Sequence, residues 1–191
     1  MPSTASIDKL IPGPGTALDR FAEHTQRRIA SLTSSGPLRA VVSALSGEKW
    51  LGHPAHPAVV AVPTGAWAVS AWYDLRSASI EDPQSDRIAD AALKVGVVAA
   101  VPAALTGIAQ FLRTDGLARR VAAVHWGLNA TAVALYATSA SLRSSGRRAA
   151  GRRVAAAALT LVGPGAYLGG HLAYRLGVGQ VREALADRNS S

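Results

Sequence analysis

The chain has 191 residues, of which 49% are hydrophobic and only 17% charged, well below the roughly 25% charged residues of an ordinary soluble domain. It contains no cysteine, which excludes disulfides, zinc–thiolate sites and cysteine-ligated iron–sulfur clusters. The net charge of +8 comes without an aromatic-interleaved basic stripe or a recognition helix, so nucleic acid is not an expected partner. Basic residues beside membrane spans meet anionic head groups instead.

The opening residues Met1 to Asp8 have neither a basic n-region nor an apolar h-region, so no cleavable signal peptide is expected. Residues 1–15 are rich in Pro, Gly and Ser and read as a mobile tail. A short amphipathic helix follows, with Leu18, Phe21, Ile29 and Leu32 as its apolar stripe and Thr16 with Asp19 as its cap. Ser34-Ser35-Gly36-Pro37 ends it, and Leu38, Val41, Val42 and Leu45 begin a second helix. Both are too short and too charged to span a bilayer; they read as lying on the membrane surface or covering the end of a bundle.

Four stretches nearly free of charge come next. The first runs from Pro57 to Leu75, contains Pro63, and carries Trp67, Trp72 and Tyr73 among its aromatic residues. Its 19 residues cover roughly 28 Å as a helix, enough for the hydrocarbon core. A polar loop is expected over 76–90. The second stretch runs from Ala91 to Leu112 with Lys94 placed to snorkel, the third from Val121 to Leu142, and the fourth from Val154 to Tyr174. Between the last two, 143–153 reads as a loop with five arginines and no acid. The first and second stretches are the weaker spans, because Asp74 and Lys94 shorten them. The expectation is an all-α integral membrane bundle of four transmembrane helices (53–180), with a short helical N-terminal extension (1–52) and a polar C-terminal tail (181–191). The Arg- and Ala-rich composition suggests a GC-rich bacterial coding sequence, hence a bacterial plasma membrane as the location.

An even span number puts both termini on one side. Flanking Lys and Arg number eight on that side and eight on the other, so the positive-inside rule does not decide the orientation. A long leader favours cytoplasmic termini and the arginine loop favours the reverse; the balance leans to cytoplasmic termini.

Threading the histidines through this topology places His53 and His56 before the first span, His125 at the start of the third and His171 at the end of the fourth. All four then lie at one face. Stripes at helical spacing accompany them: His56, Val60, Pro63, Trp67, Ser70 and Asp74 on the first span, His125, Asn129, Ala132 and Tyr136 on the third, and Thr160, Pro164, Tyr167 and His171 on the fourth. The second span offers Thr106 and Gln110. Polar residues in membrane helices face the bundle interior, so Asn129, Tyr136, Tyr167 and Gln110 are expected to line a polar pocket. Three readings follow. His56, His125 and His171, with His53 as an alternate, hold a haem or a divalent metal in a small redox subunit with a redox protein partner. Or the histidines only tie helices together in a non-enzymatic scaffold or packing subunit. Or Asp74, Tyr136 and His125 serve a proton or small-solute pathway, with Asp74 as relay. No Gly-x-Ser-x-Gly, phosphate loop or dinucleotide fingerprint is present, which weighs against an enzyme.

One family resemblance emerges. The segments His53-Pro54-Ala55-His56-Pro57, Val62-Pro63-Thr64-Gly65-Ala66-Trp67, Tyr73-Asp74-Leu75, Ala104-Leu105-Thr106-Gly107, Val124-His125-Trp126-Gly127-Leu128-Asn129, Leu135-Tyr136 and the unbroken run from Tyr167 to Gly179 together resemble a bacterial family known as domain of unknown function 2231. The resemblance covers roughly residues 50–180. It implies a multi-pass bacterial membrane protein with no established activity, some of whose relatives are fused to a Rieske-type ferredoxin domain. The cysteines of such a domain are missing here. Relatives often carry an acidic residue where this chain has Gln110, which weakens a catalytic role for that position.

Overall fold

The computed structural model describes residues 5–80 and 82–179; Glu81 and the polar tail 181–191 lie outside the described residues. Among those described there are helices and no strands. In chain order they are α1 (Ala5–Leu10), α2 (Ala17–Thr33), α3 (Gly36–Ser46), α4 (Glu48–Leu51), α5 (His56–Ile80), α6 (Pro83–Phe111), α7 (Gly116–Ser144) and α8 (Arg148–Gly170), followed by a π-helical turn, His171–Arg175. Residues 5–10 are thus helical where the sequence suggests a mobile tail.

The four long helices contain 25, 29, 29 and 23 residues, or about 35–44 Å at 1.5 Å per residue. Each exceeds the roughly 30 Å of a hydrocarbon core. By length and composition together, α6 is the one helix among the described residues that is apolar enough to cross a membrane. This reverses the expected ranking, which put the second span among the weaker ones. Lys94 lies in the first half of α6, and the run from Val95 to Leu112 is free of charge, whereas α7 carries His125 and Asn129 and α8 is built largely from Ala and Gly.

The expected polar loops also prove to be mostly helix. Within 76–90, α5 runs on to Ile80 and α6 begins at Pro83; within 143–153, α7 runs to Ser144 and α8 begins at Arg148. Asp82 starts α6 by accepting the Gln84 N–H at 3.0 Å and the Ser85 hydroxyl at 2.6 Å, with Pro83 in the first turn where its missing N–H costs nothing. The Ser85 hydroxyl and then the Gln84 N–H hold the Asp82 carboxyl below its ordinary range. The charged turns added to these helices pair with one another, so they need no solvated loop.

Two compact units emerge from the packing, one gathering residues within 1–56, 106–124 and 168–191, the other 57–105 and 125–167. In the first, Thr16 caps α2 by accepting the Asp19 N–H, and the Asp19 carboxylate reaches back to the Gly15 N–H at 3.0 Å. That N–H, followed by Arg120 and Arg119, lowers the Asp19 pKa. The arginines approach the same carboxylate at 3.3 and 3.4 Å. Gln26 donates to the carbonyls of Phe111 and Thr114 at 2.7 and 2.8 Å, satisfying acceptors that the end of α6 leaves open. The packed face of α2 is therefore Asp19, Ala22 and Gln26, while Phe21 and Leu32 of the expected apolar stripe are exposed. Gly47 ends α3 at φ +82°, and a Cβ there would lie 2.6 Å from the Ala55 nitrogen, so only glycine fits.

In the second unit Trp67 stacks on Tyr136 with ring centroids 4.3 Å apart, among Leu93, Ala100, Ala155 and Ala158. Beside this apolar core, several polar side chains are buried and many large apolar ones are exposed. Ser70, Ser77, Ser139 and Arg143 are buried, whereas Val62, Trp72, Leu75, Val95 and Val98 are exposed, Val98 by 71%. The inward face of α8 is Gly151, Ala155, Ala158 and Gly165, small residues that admit close helix approach. This corrects the stripe expected on that helix: Thr160, Pro164 and Tyr167 face outward.

Candidate functional site

Six charged side chains converge in the second unit. Asp74 comes from α5, Asp86 and Asp90 from α6, Arg143 from α7, and Arg148 and Arg152 from α8. Arg143 grips Asp74 with both terminal nitrogens, at 2.9 and 2.5 Å, and reaches Asp90 at 3.0 Å. Its Nε donates to the Ser139 hydroxyl at 3.1 Å, which itself donates to the Gly151 carbonyl at 2.7 Å. Arg148 donates to Asp90 at 2.7 Å and to the Asp86 carbonyl at 3.1 Å. Arg152 donates to Asp86 at 2.6 Å and to the Ser77 hydroxyl at 2.8 Å, and Ser77 in turn donates to Asp86 in a short bond. The Arg143 side chain is only 2% exposed.

Chemically the cluster is balanced, three guanidiniums against three carboxylates. An ion taken out of water needs such partners, and fork-to-fork pairing is the strongest form available. Spacing makes the network possible: Asp86 and Asp90 are four apart on α6, as are Arg148 and Arg152 on α8, so each pair lies on one helix face. Gly151 lets the helices close on it, since a Cβ there would lie 2.7 Å from Arg143 Cγ and 3.0 Å from the Ser139 carbonyl. Taken as solvated loops, the two charged segments hide the cluster; its signal in the sequence is the matched four-residue spacing of Asp86 with Asp90 and of Arg148 with Arg152.

Each of the four histidines has a hydrogen-bond partner. His53 is exposed, with Nδ1 at 3.2 Å from the Pro54 carbonyl. His56 Nδ1 lies 3.1 Å from the Thr106 hydroxyl, its ring beside Gly107. His125 Nδ1 lies 2.8 Å from the Gly165 carbonyl; a carbonyl only accepts, so this nitrogen carries the proton. His171 Nε2 donates to Asp8 at 2.8 Å. Among the described residues no three His, Cys, Asp or Glu side chains are grouped so as to hold a metal ion.

The expected pocket residues are likewise distributed. Asn129 stays with His125, donating to its carbonyl at 2.8 Å. Tyr136 is buried against Trp67, and the Tyr136 hydroxyl, Trp67 Nε1 and the Ser70 hydroxyl have no hydrogen-bond partner among the described residues. Gln110 belongs to the first unit, where Gly179 approaches its side chain so closely that a Cβ would lie 3.0 Å from Nε2. Tyr167 is half exposed on the outward face of α8, away from any inward pocket, because the small residues of that helix take the inner face. His171 is nevertheless buried, since the π turn after Gly170 brings both His171 and Leu172 inward.

No characterised protein matches the chain at a significant level, and no solved structure does. The family described as "Predicted membrane protein (DUF2231)" matches residues 52–182, which include α5 to α8, in agreement with the resemblance carried by the histidine and glycine motifs. The chain thus belongs to the domain-of-unknown-function 2231 family of membrane proteins.

Proposed function

We propose that the chain crosses a bacterial plasma membrane four times, through α5 to α8, and serves as a non-enzymatic scaffold or packing subunit whose inward polar groups bind its own helices to one another. The observation that carries this reading is the balanced cluster of Asp74, Asp86, Asp90, Arg143, Arg148 and Arg152, which spends every one of its charges on helix–helix contacts. The outward valines and aromatics of α5 and α6 support the lipid bilayer as the partner. The hydrogen bonds of His56, His125 and His171 to Thr106, Gly165 and Asp8 suit the use of polar side chains as glue.

The competing reading is a redox subunit holding haem or a metal through those histidines, and one measurement separates the two. Protein purified in detergent from haem- and metal-replete cells should show no Soret band and no stoichiometric metal by elemental analysis. A Soret band that disappears in His125→Ala, or one metal per chain, overturns the scaffold reading.

A further inference from the structure

The contact between His171 and Asp8 joins two parts of the chain with different standing. His171 and Arg175 lie within the family region, residues 52–182. Asp8 lies in the extension before it. The Asp8 carboxylate is shared between them: Oδ1 is 2.8 Å from His171 Nε2 and Oδ2 is 3.8 Å from Arg175 Nε.

Local structure of the family region builds the receiving side. The π-helical turn His171–Arg175 is held by the Leu176 N–H on the His171 carbonyl at 3.0 Å and the Val178 N–H on the Leu172 carbonyl at 2.8 Å. Single π turns within α-helices are frequent at functional sites. Here the turn buries the His171 side chain to 3% exposure and leaves the Arg175 side chain 48% exposed. A ring N–H donor and a cation four residues apart thus face the two oxygens of one carboxylate, at 2.8 and 3.8 Å, a pairing suited to an organic acid anion.

The occupying side is weakly held. α1 has six residues, too few for a stable helix by itself. Its Leu10 is 76% exposed and its Ile7 only half-buried, which places it with the segments that open locally at small free-energy cost. A tethered ligand of this kind occupies its site through effective concentration, on the order of millimolar for a short flexible link.

We propose that His171 and Arg175 form a binding site for a small carboxylate anion, and that Asp8 fills it in cis as a displaceable occupant. The test uses the full chain in nanodiscs with isotope-labelled histidine, the His171 resonance being assigned through His171→Asn, and acetate as the probe against chloride at equal ionic strength. In Asp8→Asn, acetate should shift the His171 signal saturably, at a concentration at least about tenfold lower than in the native chain, and Arg175→Gln should weaken that response. Equal acetate responses with and without Asp8, or none in Asp8→Asn, overturn the proposal. A second readout keeps Asp8 in place. A nitroxide at Leu10→Cys should become mobile in acetate but not in chloride, and mobile in His171→Asn without either; identical spectra in the two salts also overturn it.

Discussion

Replacing Arg143 with methionine should destabilise the protein by about 3–5 kcal/mol, the cost of removing one partner from a buried ion pair. The side chain is 2% exposed and Asp74 13% exposed, so solvent offers little screening to what remains. Arg148 and Arg152 are left to neutralise three carboxylates, and Asp74 loses its two-point grip. Asp74→Asn should be destabilising for the converse reason. The double variant Asp74→Asn with Arg143→Met should lose less than the sum of the two single changes, because it removes the pair together. Unfolding of the purified protein in mixed micelles against rising SDS measures all three. The same Asp74→Asn protein in proteoliposomes separates a packing role from a relay: proton flux should match that of the native chain, and an altered flux would favour the pathway reading.

Gly96→Ala should have the next largest effect. A Cβ at position 96 would lie 2.3 Å from Trp67 Nε1, 2.5 Å from Cδ1 and 2.9 Å from Cε2. The indole cannot easily retreat, since it is stacked on the Tyr136 ring at 4.3 Å within a packed core. Overpacking of a filled core costs about 1–3 kcal/mol, and distances this short argue for the upper part of that range. Trp67→Phe in the Gly96→Ala background should recover part of the loss by removing the atoms that clash. Gly65→Ala is the control. No atom lies within 4 Å of a Cβ there, so only helix propensity acts, and the change should be neutral or stabilising by up to about 1 kcal/mol.

The pattern of charge-free stretches locates each of α5 to α8 but misses half of their ends by five to eight residues, because charged turns extend the helices. The periodicity of α7 is also read correctly: His125, Asn129, Ala132 and Tyr136 do share a face, and Ala132 and Tyr136 are buried on it. On α8 the same reasoning selects the wrong face, and on α2 it misplaces Phe21 and Leu32 while Leu18 and Ile29 are half-buried, for a common reason. A stripe of polar or apolar residues says that a helix has two sides, but the inner one is decided by what it must approach. On α8 the need for close approach brings Gly and Ala inward and leaves Tyr167 outside. On α2 the acceptors at the α6–α7 turn and the arginines that open α7 draw Gln26 and Asp19 inward, and Phe21 turns out.

The charged cluster was hidden by a different limit. Charge between apolar stretches signals a loop only if water is the partner, and here Asp86, Asp90, Arg148 and Arg152 find their counterions on other helices. The His171–Asp8 contact spans 163 positions, and no local rule links residues so far apart. Nor does any sequence signal announce the π turn that brings His171 inward.

Four crossings have a direct test, because the chain contains no cysteine and single cysteines can be introduced cleanly. Gln84→Cys and Ser145→Cys lie next to the α5–α6 and α7–α8 connections, and Lys49→Cys and Asp115→Cys lie before α5 and in the α6–α7 connection, all at exposed positions. With an impermeant maleimide on intact cells and on inverted vesicles, Gln84 and Ser145 should label from one side only, and Lys49 and Asp115 from the other only. Labelling of all four positions from the same side would contradict a four-span membrane protein.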